Sequence, residues 1–173
     1  MATAKVMTPD KRSKEKERRT ISVLVDNEFG VLARVIGLFA GRGYNIESLN
    51  VGPTQDPTIS RMTMQVPGDD RVLEQVTKQL NKQVDVISVT DLTREAFLNR
   101  ECILVKIAAT RKNRSEIIEL ADVFGGKVVS VQNESMVIQL VGEQQHVADF
   151  MELVKPFRIL DVSRSGVIAM GKE

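Results

Sequence analysis

Apolar residues along the chain follow two alternating spacings, one typical of strands and one typical of helices. Residues 20–26 are rich in β-branched apolar side chains and predict a strand. Residues 31–42 carry apolar side chains three and four positions apart, which predicts an amphipathic helix. Both spacings then return and predict strands at 44–51, 59–66 and 84–89 and a helix over about 69–80. The predicted order of elements is β-α-β-β-α-β.

The same order of elements starts again after residue 95. The spacings predict strands at 102–107, 127–131, 135–140 and 157–164, and helices at 115–124 and about 147–154. This is a repeat of plan without a clear repeat of sequence. The expected fold class is therefore α+β, with two consecutive ferredoxin-like βαββαβ units. We divide the chain into a disordered basic arm (1–19), a first domain (20–93) and a second domain (94–173).

Each predicted unit is too small to bury much apolar surface alone. A unit of roughly 75 residues has a marginal core, and its sheet has helices on one face only. The other face must be solvated or covered by a further unit, from the same chain or from a second copy. An exposed edge strand is also protected by pairing with another strand. We therefore expect at least a homodimer.

Charge and cysteine content narrow the classes of function. The net charge of the chain is +1, and residues 1–19 hold seven Lys/Arg and three Asp/Glu. The first 19 residues thus carry +4 and the rest −3, which argues against nucleic acid as a partner. Cys102 is the only cysteine, which excludes an intramolecular disulfide and fits the cytoplasm. No apolar run reaches membrane-spanning length, so we expect no membrane partner.

The sequence contains few residues that could form an enzyme active site. With one histidine, His146, and one cysteine, a metal site of His/Cys type cannot be built within one chain. No phosphate-binding loop follows a predicted strand. The predicted strands offer almost no aromatic side chains on which RNA bases could stack. We therefore predict no catalytic residues, no metal site and no cofactor in this chain.

The loop between the first strand and the first helix is the main candidate site. It reads Asp-Asn-Glu-Phe-Gly-Val-Leu over residues 26–32. Asn27 is a residue type that caps helices, and Gly30 permits a turn or close approach that a Cβ would hinder. Free amides at a helix start attract anions, including the carboxylate of an amino acid. An ordinary capped helix explains the same residues.

A second segment, residues 44–46, is the other predicted part of the amino-acid site. If two copies pair along the second strand or the first helix, Asn45 of one copy approaches the loop of the other. An amino acid would then place its carboxylate on the amides of residues 30–32 and its ammonium near Asn27 or Asn45. Its side chain would lie in an apolar pocket that favours a small aliphatic group. The predicted effector-binding residues are Asn27, Gly30, Val31, Leu32, Asn45 and Ile46.

Several stretches of this sequence resemble the small, regulatory subunit of acetohydroxyacid (acetolactate) synthase. The stretches are SVLVDNEFGVLARV at 22–35, GRGYNIESL at 41–49, SRMT at 60–63, RECILVKI at 100–107 and SRSGV at 163–167. The similarity extends over about residues 19–171. One departure is Phe29, where relatives often carry a small residue or proline.

The resemblance implies that the first domain is an ACT domain that binds branched-chain amino acids, chiefly valine, at a dimer interface. Asn27, Gly30 and Asn45 match the family's binding residues. The resemblance further implies a chain without an active site that activates a large catalytic subunit and confers feedback inhibition. Thiamine diphosphate, magnesium and FAD would belong to that partner. An alternative is a stand-alone amino-acid sensor that acts on another enzyme or a transcription regulator; a small hydrolase or transferase is a weaker one.

Overall fold

The structure is a computed structural model that describes residues 18–94 and 96–172. Two βαββαβ units follow one another along this part of the chain, which confirms the predicted α+β class. The first unit contains β1 (Arg18–Asp26), α1 (Val31–Ala40), β2 (Ser48–Pro53), β3 (Ile59–Pro67), α2 (Asp70–Leu80) and β4 (Val86–Asp91). The second contains β5 (Phe97–Ala108), α3 (Arg114–Val123), β6 (Lys127–Val131), β7 (Ser135–Gly142), α4 (Gln144–Val154) and β8 (Ile159–Gly171).

Each unit folds its four strands into one antiparallel sheet. The strand orders are β2-β3-β1-β4 and β6-β7-β5-β8. Alternation along β1 turns Ile21, Val23 and Val25 toward the helices, where they join the buried side of α1 in the first core. A second, separate core forms in the same way between the second sheet and its helices. The apolar residues whose spacing predicted these strands and helices are therefore the residues that form the two cores.

The first strand begins earlier than the sequence pattern indicates. Arg18 and Arg19 pair with Pro67 and Val66 of β3, so these two residues belong to β1 and not to the predicted arm. Two consecutive arginines lack the apolar alternation that marks a strand. They are extended because their backbone pairs with β3. Residues 1–17, to which the rest of the disorder prediction applies, lie outside the described residues.

Two strands of the second unit are longer than predicted and reach the first unit. The predicted strands 102–107 and 157–164 extend to Phe97–Ala108 and Ile159–Gly171. Residues 97–101 pair antiparallel with residues 167–171, and we call this two-stranded segment the ribbon. Its Val167 amide donates to Ser48 Oγ in β2 at 2.9 Å. The ribbon thus joins the second sheet to the first unit.

The ribbon covers the sheet face of the first unit that points away from its helices. Side chains on that face are polar, yet Ser22 is 2% exposed and Gln65 is 5% exposed. Gln65 exchanges two side-chain hydrogen bonds with Gln144 of α4, at 3.1 and 3.0 Å. The outer sheet face is therefore covered by the second unit of the same chain, one of the two arrangements expected from sequence.

Candidate functional site

The loop between β1 and α1 turns at Gly30. Its φ of 83° and ψ of −10° lie in the left-handed region, where glycine has no Cβ to clash. Gly30 is the N-cap of α1, and no side chain in the described part of the chain caps this helix. The predicted capping role of Asn27 is therefore wrong. Asn27 instead donates from Nδ2 to the Pro57 carbonyl at 2.9 Å, which ties the loop to the turn between β2 and β3.

The start of α1 presents backbone amides that its own helix does not use. The first full helical bond runs from the Arg34 amide to the Gly30 carbonyl, at 3.0 Å. The Val31 amide already makes a long bond of 3.4 Å to the Glu28 carbonyl. The amides of Leu32 and Ala33 precede the first helical bond and so lack a partner within the helix. The Leu32 amide belongs to the set expected from sequence at residues 30–32, whereas the Ala33 amide was not expected and the Val31 amide is already bonded.

The side chains of the predicted apolar pocket point in different directions. Val31 is 2% exposed and belongs to the first core, so it contributes backbone rather than a pocket wall. Leu32 is 41% exposed on the surface of the helix. Ile46 is half-buried and packs on the edge of the first core, and Phe29 is fully exposed. The departure at Phe29 therefore projects into solvent.

Asn45 does not approach Asn27 within one protomer. The Tyr44 amide donates to the Phe39 carbonyl at 3.1 Å, which holds the segment before β2 at the C-terminal end of α1. Gly30 lies at the opposite end. A helix of 10 residues is about 15 Å long. A small ligand cannot reach from Gly30 to Asn45 of the same copy, so a site that uses both needs a second copy.

An ion pair holds the first turn of α1 against the end of the sheet. Arg34 Nε donates to Asp85 Oδ2 at 2.7 Å, just before β4. This hydrogen bond raises the pKa of Arg34. The Asp85 carbonyl also accepts from the Asp26 amide at 2.9 Å. Sequence alone does not reveal this pair, because the two residues lie 51 positions apart in the chain and neither belongs to a recognisable motif.

Within residues 18–94 and 96–172, no group of three or more His, Cys, Asp or Glu side chains is placed to hold a metal ion. In the same ranges, no helix has the length and apolar character needed to cross a membrane.

Two family models together match most of the chain. One, described as an AHAS small subunit-like ACT domain, matches residues 21–88. The other, described as the small subunit of acetolactate synthase, matches residues 100–173. The chain belongs to the acetolactate synthase small-subunit family. The ferredoxin-like fold of residues 21–88 is accordingly that of an ACT domain.

Relatives within the acetolactate synthase small-subunit family are similar over almost their whole length. The isozyme 3 small subunit of Escherichia coli is 46% identical over 156 residues, covering 90% of this chain and 96% of that protein. A probable small subunit from Archaeoglobus fulgidus is 45% identical over 153 residues, covering 88% and 96%. The crystal structure of the Thermotoga maritima small subunit superposes with a TM-score of 0.83 at 34% identity, covering 91% and 98%.

Family membership assigns the chain a regulatory role in the branched-chain amino acid pathway. This agrees with the expectation, made from sequence, of a small subunit and not of a complete enzyme. The predicted effector residues are distributed over two ends of the ACT domain, and their joint role stays a prediction.

Proposed function

We propose that this chain associates with the large catalytic subunit of acetolactate synthase, raises its activity and makes it sensitive to feedback inhibition. The effector is a branched-chain amino acid, with valine preferred. In this proposal thiamine diphosphate, magnesium and FAD belong to the catalytic subunit. The proposal rests on the match of residues 21–88 to an ACT-domain model and on the geometry of the α1 start.

The effector carboxylate is assigned to the amides at the start of α1. Leu32 and Ala33 point two unused N–H groups along the helix axis, where the helix dipole favours negative charge. Gly30, in its left-handed conformation, lets the carboxylate approach the backbone closely. Asn27 is held by the Pro57 carbonyl through its nitrogen, so its side-chain oxygen remains to accept a hydrogen bond from the effector ammonium.

The remainder of the site is assigned to a second copy of the chain. Asn45 and Ile46 lie about one helix length from Gly30 in the same protomer, so they serve the loop of a partner in a homodimer. Leu32 of one copy and Ile46 of the other then form the apolar wall. Each added or missing methylene in such a wall changes affinity by about 1–3 kcal/mol. Leucine and isoleucine therefore bind more weakly than valine.

Regulation follows from the position of the site between copies. An effector shifts an equilibrium only through different affinities for two states. A site shared by two protomers changes its geometry whenever the protomers shift. Valine therefore favours one arrangement of the dimer, and the catalytic subunit responds to that arrangement.

The first test measures the melting temperature of the full chain with valine, leucine, isoleucine or aspartate. A ligand at about 100 times its dissociation constant stabilises the native state by about 2.7 kcal/mol. We expect a rise with valine that Asn27→Ala and Asn45→Ala each abolish. Asn81→Ala removes an exposed asparagine at the end of α2 and serves as the matched control.

Mixing the two variants tests whether the site is shared. A dimer of one Asn27→Ala copy and one Asn45→Ala copy has one intact site and one site that lacks both asparagines. We expect the mixture to regain part of the valine response that each variant lacks. If it regains none while both variants form mixed dimers, Asn27 and Asn45 do not share a site across the interface.

Reconstitution tests the role of the chain. Adding it to the purified catalytic subunit should raise the rate of acetolactate formation, and valine should then lower that rate. A catalytic subunit that neither binds the chain nor changes its rate would refute the proposed partnership.

A further inference from the structure

A cavity of about 260 Å³ lies between the outer face of the first sheet and the ribbon. The first sheet contributes Gly52 from β2 and Arg61 from β3. The ribbon contributes Leu98 and Met170, which face each other across the two strands. The cavity is separate from the α1 loop, and both units of the chain are needed to form it.

The walls of this cavity combine apolar surface with positive charge. Leu98, Ile168 and Met170 are large apolar side chains that stay about half exposed along its opening. Arg61 and Arg100 both line it, and among the residues that the structure describes no acidic side chain does. Such a combination suits a ligand that has one anionic group and one apolar group.

Of the two arginines that line the cavity, Arg61 is the one without an ion pair among the described residues. It is half-buried, and its Nη1 donates to the neutral Ser22 hydroxyl at 2.8 Å. Within residues 18–94 and 96–172, no carboxylate forms an ion pair with Arg61, whereas Arg100 pairs with Glu143 at 3.3 Å. A partly buried guanidinium that donates only to a neutral hydroxyl keeps further N–H donors with which to pair with an anion. An anion bound in the cavity would be that partner.

We infer that this cavity binds a small aliphatic monocarboxylate. The carboxylate pairs with Arg61, and the tail covers Leu98, Ile168 and Met170. The volume lies just below the usual range of ligand pockets, which limits the tail to a few carbons. An amino acid is disfavoured, because its ammonium would lie near two arginines, and none of the described lining residues is acidic. The ligand class therefore differs from the effector proposed for the α1 loop.

A ligand bound in this cavity changes how the two units are arranged relative to each other. The carboxylate contacts a strand of the first sheet, and the tail contacts the ribbon of the second unit. A ligand that touches both favours the arrangement in which the ribbon lies on the sheet. The cavity thus offers a second input to a regulatory subunit, independent of the amino-acid site.

The test uses the full chain labelled with ¹³C in its methionine methyl groups and titrated with isovalerate. The Met170 methyl reports from the cavity, and Met151, packed against the second core, serves as the internal reference. We expect a saturable shift of the Met170 signal with isovalerate. Acetate lacks the apolar tail and 3-methyl-1-butanol lacks the charge, so each should bind at least about tenfold more weakly.

Two variants address the two halves of the cavity. Arg61→Gln removes the charge and should weaken isovalerate binding about tenfold or more. Gly52→Val fills the cavity; a Cβ built at Gly52 meets no atom within 4 Å, so this variant should fold and lose binding. Arg111→Gln, on an exposed loop arginine outside the cavity, is the matched control and should bind normally.

The inference is overturned if isovalerate leaves the Met170 signal unchanged, or if Gly52→Val binds as tightly as the unmodified chain. Equal binding of 3-methyl-1-butanol would also overturn it, because Arg61 would then play no part. Valine titrated into Gly52→Val should still raise the melting temperature through the α1 loop. A failure here is therefore distinguishable from a failure of the proposed effector site.

Discussion

Replacing Gly30 with alanine should destabilise the fold and disturb the proposed effector loop at the same time. Gly30 has a φ of 83°, and an added Cβ would lie 3.0 Å from Arg34 Nη1. The left-handed conformation costs a residue with a Cβ about 1–2 kcal/mol. Arg34 adds little to this cost because its guanidinium is the far end of a flexible, half-exposed side chain. The main cost is therefore conformational.

Gly37→Ala is the matched control, with the opposite expected sign. Gly37 lies in the middle of α1, and a Cβ there meets no atom within 4 Å. Alanine in a helix interior is favoured over glycine by about 0.5–1 kcal/mol. Because 1 kcal/mol shifts the melting temperature by about 2–4 °C at this chain length, Gly30→Ala should lower it by about 2–8 °C and Gly37→Ala should raise it.

The assay is urea unfolding of both variants, followed by circular dichroism at one protein concentration, because oligomer formation makes stability depend on concentration. The valine-induced rise in melting temperature is then measured for each. Gly30→Ala should lose most of the rise, and Gly37→Ala should keep it. Unchanged stability of Gly30→Ala would refute the strain argument. Full valine response in a destabilised Gly30→Ala would refute the placement of the effector on this loop.

Two further predictions concern the contact between the units and the turn between β2 and β3. Gln144→Leu should cost about 1–3 kcal/mol in urea unfolding, because it leaves the 5% exposed Gln65 amide unpaired. Adding Gln65→Leu should recover much of that loss, and a further loss of similar size would contradict a reciprocal pair. The Thr58 side chain and amide both donate to Asp56 Oδ1 and lower the pKa of that carboxyl. The depressed pKa makes a contribution to stability that is present above the ordinary aspartate pKa and disappears as pH falls through the lower, folded value. Thr58→Ala should return the Asp56 pKa toward its ordinary value in a carboxyl ¹³C titration, and an unchanged titration would contradict the assignment.

The sequence was a good guide where one local period decides the structure. Alternation in 59–66 and helical spacing in 31–42 predicted β3 and α1 within a few residues of their observed bounds. Asp69 accepts from the Val72 amide at 3.0 Å and caps α2, consistent with acidic residues at its predicted start. Local spacing works here because each element buries one face on its own core.

The sequence was a poor guide where distant segments meet. Residues 97–101 have no clear alternation, and they become a strand because residues 167–171 lie beside them. Ser22 and Gln65 have the polarity of solvent-facing positions, yet they are buried by the ribbon and by Gln144. No local pattern encodes such burial, because the covering residues are about 75 positions or more away in the chain.

The same distinction holds for the candidate site. By itself the sequence determined two ferredoxin-like units and the glycine turn before α1, whereas the amino-acid effector residues stay a prediction. Only the tertiary structure decided that Val31 belongs to the core, that Asn27 bonds to Pro57, and that Gly30 and Asn45 lie at opposite ends of α1. The physical reason is the sequence separation over which each effect acts. Hydrophobic periods and turn preferences act over a few residues, whereas a binding site depends on how elements distant in sequence pack together.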